Sequence, residues 1–234
     1  MSDRAQHALV DAAAVRFRAA GQFAYRYARG KLRHDPVYCT LLRNGLIADH
    51  ARVLDLGCGQ GILLALLAAT EHCPEQWPQD WGAAPTGLRL YGIDNQPRAA
   101  RRARAALGSQ AGIVVADLID AAFPESDVVI LLDVLHYMDR TAQETVLAKA
   151  AGALARHGRL IIRVADSDVR VKALVTGVAD RFGALLRGEL WGRYHLRPLT
   201  EWRAMLAGLG LAVERISMTE CSTLANTLLV GFRP

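Results

Sequence analysis

The 234-residue sequence lacks several features that mark common protein classes. No apolar run approaches the roughly 18 residues that a membrane span needs, and the polar residues 1–6 do not resemble a secretory signal. The cysteines show no close, metal-type pairing, so we expect neither structural zinc nor any other resident metal. These features predict a reduced, cytoplasmic protein. The cysteines are Cys39, Cys58, Cys73 and Cys221.

A surplus of positive charge is present, with a net charge of +5 and a pI of about 9.3. The arginines are scattered, and those at 98, 101, 102 and 104 follow a predicted strand, on what we interpret as a solvated helix face. A nucleic-acid footprint would be a concentrated patch, so we expect no nucleic-acid partner. Attraction to an anionic substrate, an acyl-carrier protein or a membrane surface explains the same surplus.

The most informative stretch is a glycine-rich turn between an apolar strand and an apolar helix, at residues 52–67. Its spacing is Gly-x-Gly-x-Gly, and Ile62 stands where the dinucleotide fingerprint needs a further glycine. No Gly-Lys-Ser/Thr follows, which excludes the phosphate-binding loop of nucleoside triphosphatases. The turn therefore predicts a site for a nucleotide-like ligand at the head of an α/β sheet. A dehydrogenase is the less favoured function.

Residues 53–64 resemble the first motif of class I S-adenosylmethionine-dependent methyltransferases. In that family the acidic residue and the glycine loop hold the methionine part of the cofactor. The resemblance implies S-adenosylmethionine as cofactor and S-adenosylhomocysteine as product. The residues that it assigns here are Asp55, Gly57, Cys58, Gly59 and Gly61.

Acidic residues at the ends of the following strands extend this resemblance. Asp94, with Asn95 beside it, ends the second strand, and a carboxylate there can accept two hydrogen bonds from a ribose diol. Asp117 and Leu118 end the third strand, where the family contacts the adenine amino group. Asp133 ends the fourth strand and completes the predicted cofactor set.

The alternation of strands and helices predicts the fold. We expect an α/β, Rossmann-like, seven-stranded and mostly parallel sheet with helices on both faces and an antiparallel last strand. Residues 1–50 are predicted to form an N-terminal helical lid or substrate element, with a helix over 11–28 and a break at 30–36. Residues 51–234 are predicted to form the methyltransferase core, with an inserted loop at 71–89 and a helical insertion at 167–198. Thr141 is predicted to cap a helix that ends near Gly158.

The stretch after the fourth strand, Asp-Val-Leu-His, resembles small-molecule methyltransferases and lacks the Asn/Asp-Pro-Pro-Tyr/Phe signature of enzymes that methylate amide or exocyclic nitrogens. The nucleophile is therefore expected to be oxygen or carbon. His136 and His195 are candidate bases, since histidine titrates near neutral pH, and Tyr25 is a third candidate. Each histidine also has an interpretation as a packed or surface side chain. No base is required if positioning supplies the catalysis.

The predicted substrate contacts are Arg163, Tyr27 and Tyr137. A charge within a strand expected to be buried needs a partner, so Arg163 either holds a substrate carboxylate or pairs with Asp133 or Asp166. The N-terminal aromatic residues either close over an aromatic or apolar substrate, which would exclude water from a reactive sulfonium, or simply pack on the core.

The sequence supports three functional hypotheses. The first is a methyltransferase acting on oxygen or carbon of a small aromatic, phenolic or polyene-precursor molecule, free or linked to a carrier. The others are a methyltransferase-like binding protein without turnover and, with less support, a NAD(P)-dependent oxidoreductase. Residues 23–36, 160–164 and 225–230 also resemble methyltransferases encoded with bacterial aryl polyene synthesis. A homodimer is compatible with the sequence.

Overall fold

The computed structural model describes residues 2–165, 195–216, 218 and 226–234. Most of the helical insertion predicted at 167–198 therefore lies outside the described residues, as do Asp166 and Cys221.

The centre of the structure is a seven-stranded sheet with the strand order β3-β2-β1-β4-β5-β7-β6. β7 is antiparallel to both of its neighbours, and the pairs formed by β1 to β5 are parallel. The predicted Rossmann-like sheet with one antiparallel strand is thus confirmed. The strands are β1 (Arg52–Leu56), β2 (Arg89–Asp94), β3 (Ala111–Val115), β4 (Ser126–Leu132), β5 (Leu154–Ala165), β6 (Ala212–Ile216) and β7 (Asn226–Phe232).

Helices cover both faces of the sheet because alternate strand residues face opposite sides. Val53 packs in a core with α1 to α5, whereas the next residue, Leu54, packs in a second core with α6 and α7. The short helix α4 is apolar and buried over nine consecutive residues, which places the glycine-rich turn against the interior. The helices of the described ranges are α1 (Ser2–Val15), α2 (Gln22–His34), α3 (Val37–Arg43), α4 (Ile62–His72), α5 (Pro97–Leu107), α6 (Arg140–Gly152) and α7 (Leu199–Gly208).

The N-terminal helices differ from the prediction. The helix expected over 11–28 is interrupted by a 3-10 turn, Arg16–Ala20, and by Gly21. Gly21 has a φ of 101°, which side-chain-bearing residues rarely adopt. Gly30, expected in a break, lies inside α2 instead. Phe17 is fully buried in the same core as the sheet, so these helices pack on the core; their role as a lid stays a prediction.

Two other local predictions need correction. Asp139, not Thr141, is the N-cap of α6, since its side chain accepts a hydrogen bond of 2.9 Å from the Ala142 N–H. The helix ends at Gly152, well before Gly158. The inserted loop contains only a 3-10 turn, as expected of a connection, but its Trp81 is fully buried.

Candidate cofactor site

The glycine-rich turn is shaped by close packing on both sides. Gly57 has a φ of 74°, and a Cβ atom there would lie 2.4 Å from a methyl group of Val134. Gly61 has a φ of 76°, and its Cβ atom would lie 2.9 Å from Leu107 of α5. Gly59, between them, faces open space, which leaves room for a ligand against its backbone. The turn therefore needs glycine for packing at its ends and for access at its centre.

Asp94 is buried at the end of β2 and is bound to this turn. One carboxylate oxygen accepts a hydrogen bond of 2.7 Å from the Gly59 N–H, and the other accepts one of 2.8 Å from the Gln96 N–H. Each oxygen has two acceptor positions. The backbone thus orients the carboxylate at the end of β2.

Asp55 is a second carboxylate beside Asp94 and is only 4% exposed. Burial, and then the charge of Asp94, raises the pKa of Asp55 to about 7. Burial and these two carboxylates also raise the pKa of the Cys58 thiol well above its usual value. The turn therefore concentrates acidic groups in a place where water is excluded, and such a site favours a cation.

The remaining predicted cofactor residues lie along the same edge of the sheet. The Ala116 N–H donates to the Asp94 carbonyl at 3.2 Å, which places Asp117 and Leu118 beside the end of β2. Asp117 and Asn95 are exposed, and Leu118 is buried. Their contacts with a cofactor stay predictions.

Asp133 and Arg163 lie in one ion-pair cluster. Arg163, only 4% exposed, donates from Nε to Asp133 at 2.8 Å and also binds Asp35 through Nη2 at 2.9 Å. Nη1 makes a further bond to Asp35, and Nη2 one to Asp133. Lys31 Nζ lies 3.1 Å from Asp35 and 3.8 Å from Asp133. Of the two alternatives for Arg163, the structure shows the ion pair.

This cluster has consequences for both predicted roles. Burial opposes ionisation of Asp35, but Arg163 and Lys31 lower its pKa to about 2. Burial likewise opposes the charge of Arg163, whose pKa is nevertheless raised by Asp133 and Asp35. Four donor contacts of the guanidinium are thereby directed at protein carboxylates, so a substrate carboxylate would have to displace one of them. The sequence analysis did not predict a role for Lys31 or Asp35. Asp35 pairs with Arg163, which lies 128 residues further along the chain.

The two predicted histidines are neighbours in the structure. His136 lies in a 3-10 turn, Leu135–Tyr137, after β4, and its ring is 4.2 Å from that of Tyr137. The His195 N–H donates to the His136 carbonyl at 2.9 Å. His136 is 9% exposed and Tyr137 is 41% exposed, so the tyrosine presents the more accessible side chain.

A buried glutamine holds this pair of segments together. Gln143 of α6 donates from Nε2 to the carbonyls of Leu135 and His195, at 2.9 and 2.8 Å. Its Oε1 accepts a hydrogen bond of 2.6 Å from the buried Arg197. The sequence analysis interpreted Gln143 only as part of a capping motif and assigned no role to Arg197.

The two tyrosines of α2, Tyr25 and Tyr27, are half-buried and pack against the core that contains α4. Arg18 lies over the Tyr25 ring at 5.1 Å, and Tyr27 stacks on Phe23 with ring centroids 6.3 Å apart. Gln60, inside the turn, donates to the Ala24 carbonyl of α2 at 3.2 Å. The helix that carries both tyrosines is therefore in direct contact with the turn.

Two negative findings bear on the site. Within the described ranges, no group of three or more His, Cys, Asp or Glu side chains is placed to hold a metal ion. Among the helices that the structure describes, none is long and apolar enough to cross a membrane.

Comparison with solved structures defines the class to which this fold corresponds. A chain in the complex between the Haloferax volcanii Trm112 methyltransferase activator and a methyltransferase has a TM-score of 0.64 at 19% identity, with 96% of this chain and 97% of that chain covered. Magnesium protoporphyrin IX methyltransferase from Synechocystis PCC 6803, with bound S-adenosylhomocysteine, has a TM-score of 0.60 at 23% identity, with 93% and 92% covered. An O-methyltransferase family protein from Burkholderia thailandensis has a TM-score of 0.63 at 24% identity, with 92% of this chain and 61% of that chain covered. At these identities the likeness establishes a class I methyltransferase fold.

A comparison of the sequence with protein families agrees with this fold. Residues 54–160 match a family model described as a methyltransferase domain. This match confirms the predicted resemblance to class I S-adenosylmethionine-dependent methyltransferases. The predicted cofactor agrees with the S-adenosylmethionine and S-adenosylhomocysteine bound in the Synechocystis structures. A sequence comparison with curated proteins finds no match. The aryl polyene likeness finds no support.

Proposed function

We propose that the protein is an S-adenosylmethionine-dependent methyltransferase that acts on oxygen or carbon of a small aromatic, phenolic or polyene-precursor molecule, free or linked to a carrier. The observation that carries the proposal is the placement of Asp94, bonded to the backbone of Gly59 with Asp55 behind it. This arrangement combines an acceptor for a ribose diol with negative charge for a cationic ligand.

The residues present fit that cofactor. Asp94 would hold the ribose, and the turn from Gly57 to Gly61 with Asp55 would hold the methionine portion. Asn95, Asp117 and Leu118 would surround the adenine. When bound, S-adenosylmethionine supplies an electrophilic methyl group on a sulfonium, and the protein's contribution is to position the acceptor and exclude water.

The acceptor side of the site is proposed around the 3-10 turn after β4 and around α2. His136, His195 or Tyr25 would take the acceptor proton, and Tyr27 and Tyr137 would contact an aromatic ring. Arg163 would act mainly by fixing Asp133 and Asp35, because its donors already face these carboxylates. The contact between Gln60 and Ala24 supports a role for α2 in covering the cofactor.

Calorimetric titration of S-adenosylmethionine into native protein and Asp94→Ala tests the cofactor site. Loss of two hydrogen bonds to a charged group predicts a weakening of about 100-fold or more. Asp120→Ala, which removes an exposed carboxylate after β3, serves as the matched control and should bind as the native protein does. Equal affinity of native protein and Asp94→Ala would contradict the assignment.

A turnover assay separates the remaining alternatives. Formation of S-adenosylhomocysteine with phenols, catechols or carrier-linked acids, together with a methylated product in mass spectrometry, supports transfer. Cofactor binding without turnover on the panel would favour a binding protein. Tighter binding of NAD or NADP than of S-adenosylmethionine would favour an oxidoreductase.

A further inference from the structure

The 3-10 turn Arg16–Ala20 and α5 together line a cleft. Its volume is about 380 Å³, within the range of small-ligand sites. Alanines form part of its wall, so a ligand can approach the backbone closely. It is lined by Ala19, Ala20, Arg98, Arg101, Arg102 and Ala105.

The three arginines of this cleft are not neutralised by the protein. Within the described part of the chain, no carboxylate forms a salt bridge with any of them. Arg102 contacts the Phe23 ring at 5.3 Å, which orients its guanidinium without cancelling its charge. The next arginine of α5, Arg104, differs, since it donates to the Ile113 carbonyl at 2.7 Å and has a structural role.

The position of these charges on α5 is electrostatically unfavourable in the absence of an anion. They occupy the first six residues of an eleven-residue helix whose first turn has no acidic residue. The first turn of a helix carries partial positive charge, which disfavours a cation at Arg98. Arg98 also lies three and four residues before Arg101 and Arg102, so like charges face each other along one side of the helix. An anion in the cleft would relieve both repulsions.

We propose that this cleft binds the phosphate groups of a small ligand, with a diphosphate as the best match. The guanidinium fork binds phosphate oxygens in pairs, and three such groups match the charge of a diphosphate. None of the six residues that line the cleft belongs to the predicted cofactor set. Two sources carry the same chemistry: a free diphosphate, and the diphosphate of a larger acyl carrier.

Inorganic pyrophosphate is the probe, titrated at constant ionic strength into protein saturated with S-adenosylmethionine. We expect native protein to bind pyrophosphate. The double variant Arg101→Gln/Arg102→Gln should bind it at least about tenfold more weakly, since each substitution removes charge-assisted hydrogen bonds. Arg203→Gln, an exposed arginine on α7 across the sheet, is the matched control and should bind as the native protein does. Coenzyme A in parallel distinguishes the sources: binding of both probes supports a carrier, and binding of pyrophosphate alone supports a free diphosphate.

Thermal unfolding shows whether a loss of binding is caused by a folding defect in the variant. Because Arg101→Gln removes a repulsion, it should leave the melting temperature without pyrophosphate equal or higher, and it should reduce the rise that pyrophosphate produces. The absence of binding in native protein at millimolar pyrophosphate would overturn the proposal. An equal loss of binding in Arg203→Gln would overturn it as well, since it would show a non-specific charge effect.

Discussion

The carboxyl of Asp55 should make the stability of the ligand-free protein fall as pH rises toward neutrality. Burial and Asp94 raise its pKa to about 7, from a usual value of 3.8. Between these two values the folded protein binds more protons than the unfolded chain, so the free energy of unfolding decreases with pH. The stabilisation is complete below pH 3.8 and is lost as pH rises through about 7.

The size of the effect follows from the width of that interval. At 1.36 kcal/mol per pH unit, the whole interval corresponds to about 4 kcal/mol, and the part between pH 5 and 8 to about 3 kcal/mol. Asp55→Asn keeps a side chain of the same shape but does not titrate. Relative to this variant, native protein should therefore lose about 3 kcal/mol of stability between pH 5 and 8.

Urea unfolding followed by circular dichroism, at several pH values between 5 and 8, measures this difference. Asp120→Asn, which removes an exposed carboxylate, is the control and should follow the native profile. Parallel profiles for native protein and Asp55→Asn would refute the reasoning.

A cationic ligand should act on the same carboxyl in the opposite direction. Positive charge near Asp55 favours its ionised form, so binding of S-adenosylmethionine should release a proton near pH 7. The affinity of native protein should then increase with pH up to about 7 more steeply than that of Asp55→Asn. The comparison of the two proteins cancels the titration of the ligand's own amino group, which has a usual pKa of about 8. Equal proton release from both proteins, measured by calorimetry in buffers of different ionisation enthalpy, would contradict the assignment.

Two further predictions concern packing around the site. Arg163→Met should destabilise the protein by about 3–5 kcal/mol, because it leaves Asp35 and Asp133 without their buried partner; the loss should shrink in urea unfolding at low pH, where Asp35 no longer gains from ionisation. If Arg163→Met did not destabilise the protein, the prediction would be wrong, and Lys31 alone would be sufficient to compensate the charges of the two carboxylates. Gly57→Ala and Gly59→Ala share a backbone cost of about 1–2 kcal/mol from their positive φ, but only the first inserts a methyl group into Val134. Gly57→Ala should therefore have the lower melting temperature, whereas Gly59→Ala should remain folded and bind S-adenosylmethionine more weakly; equal melting temperatures would contradict the packing argument.

Features that depend on contiguous residues were predictable. The turn between β1 and α4 needs three glycines within five residues, and the end of β2 needs only an apolar run followed by Asp94. Parallel strands bring their carboxyl ends to one edge of the sheet, and β1 and β2 are neighbours in it, so the ends of these two strands lie close together. For this reason the sheet agrees with expectation, and the structure places Asp94 beside Gly59.

Features that depend on competing local preferences were predicted less well. Gly21 and Gly30 both permit a break, and only the fit of Phe17 and Leu32 into the core selects the first. Asp139 and Thr141 are both good capping residues, and the structure uses Asp139. Propensities of nearly equal size leave such choices to tertiary packing.

The sequence by itself determined the class of this protein: the order of strands and helices, the glycine-rich turn and the acidic strand ends are all written in short segments. Only the tertiary structure decided which side chains meet. It paired Arg163 with Asp35 across 128 positions and joined His136 to His195 through their backbones. The physical reason is that these contacts depend on the distance and burial of residues far apart in the chain, and burial sets both their charge states and their partners.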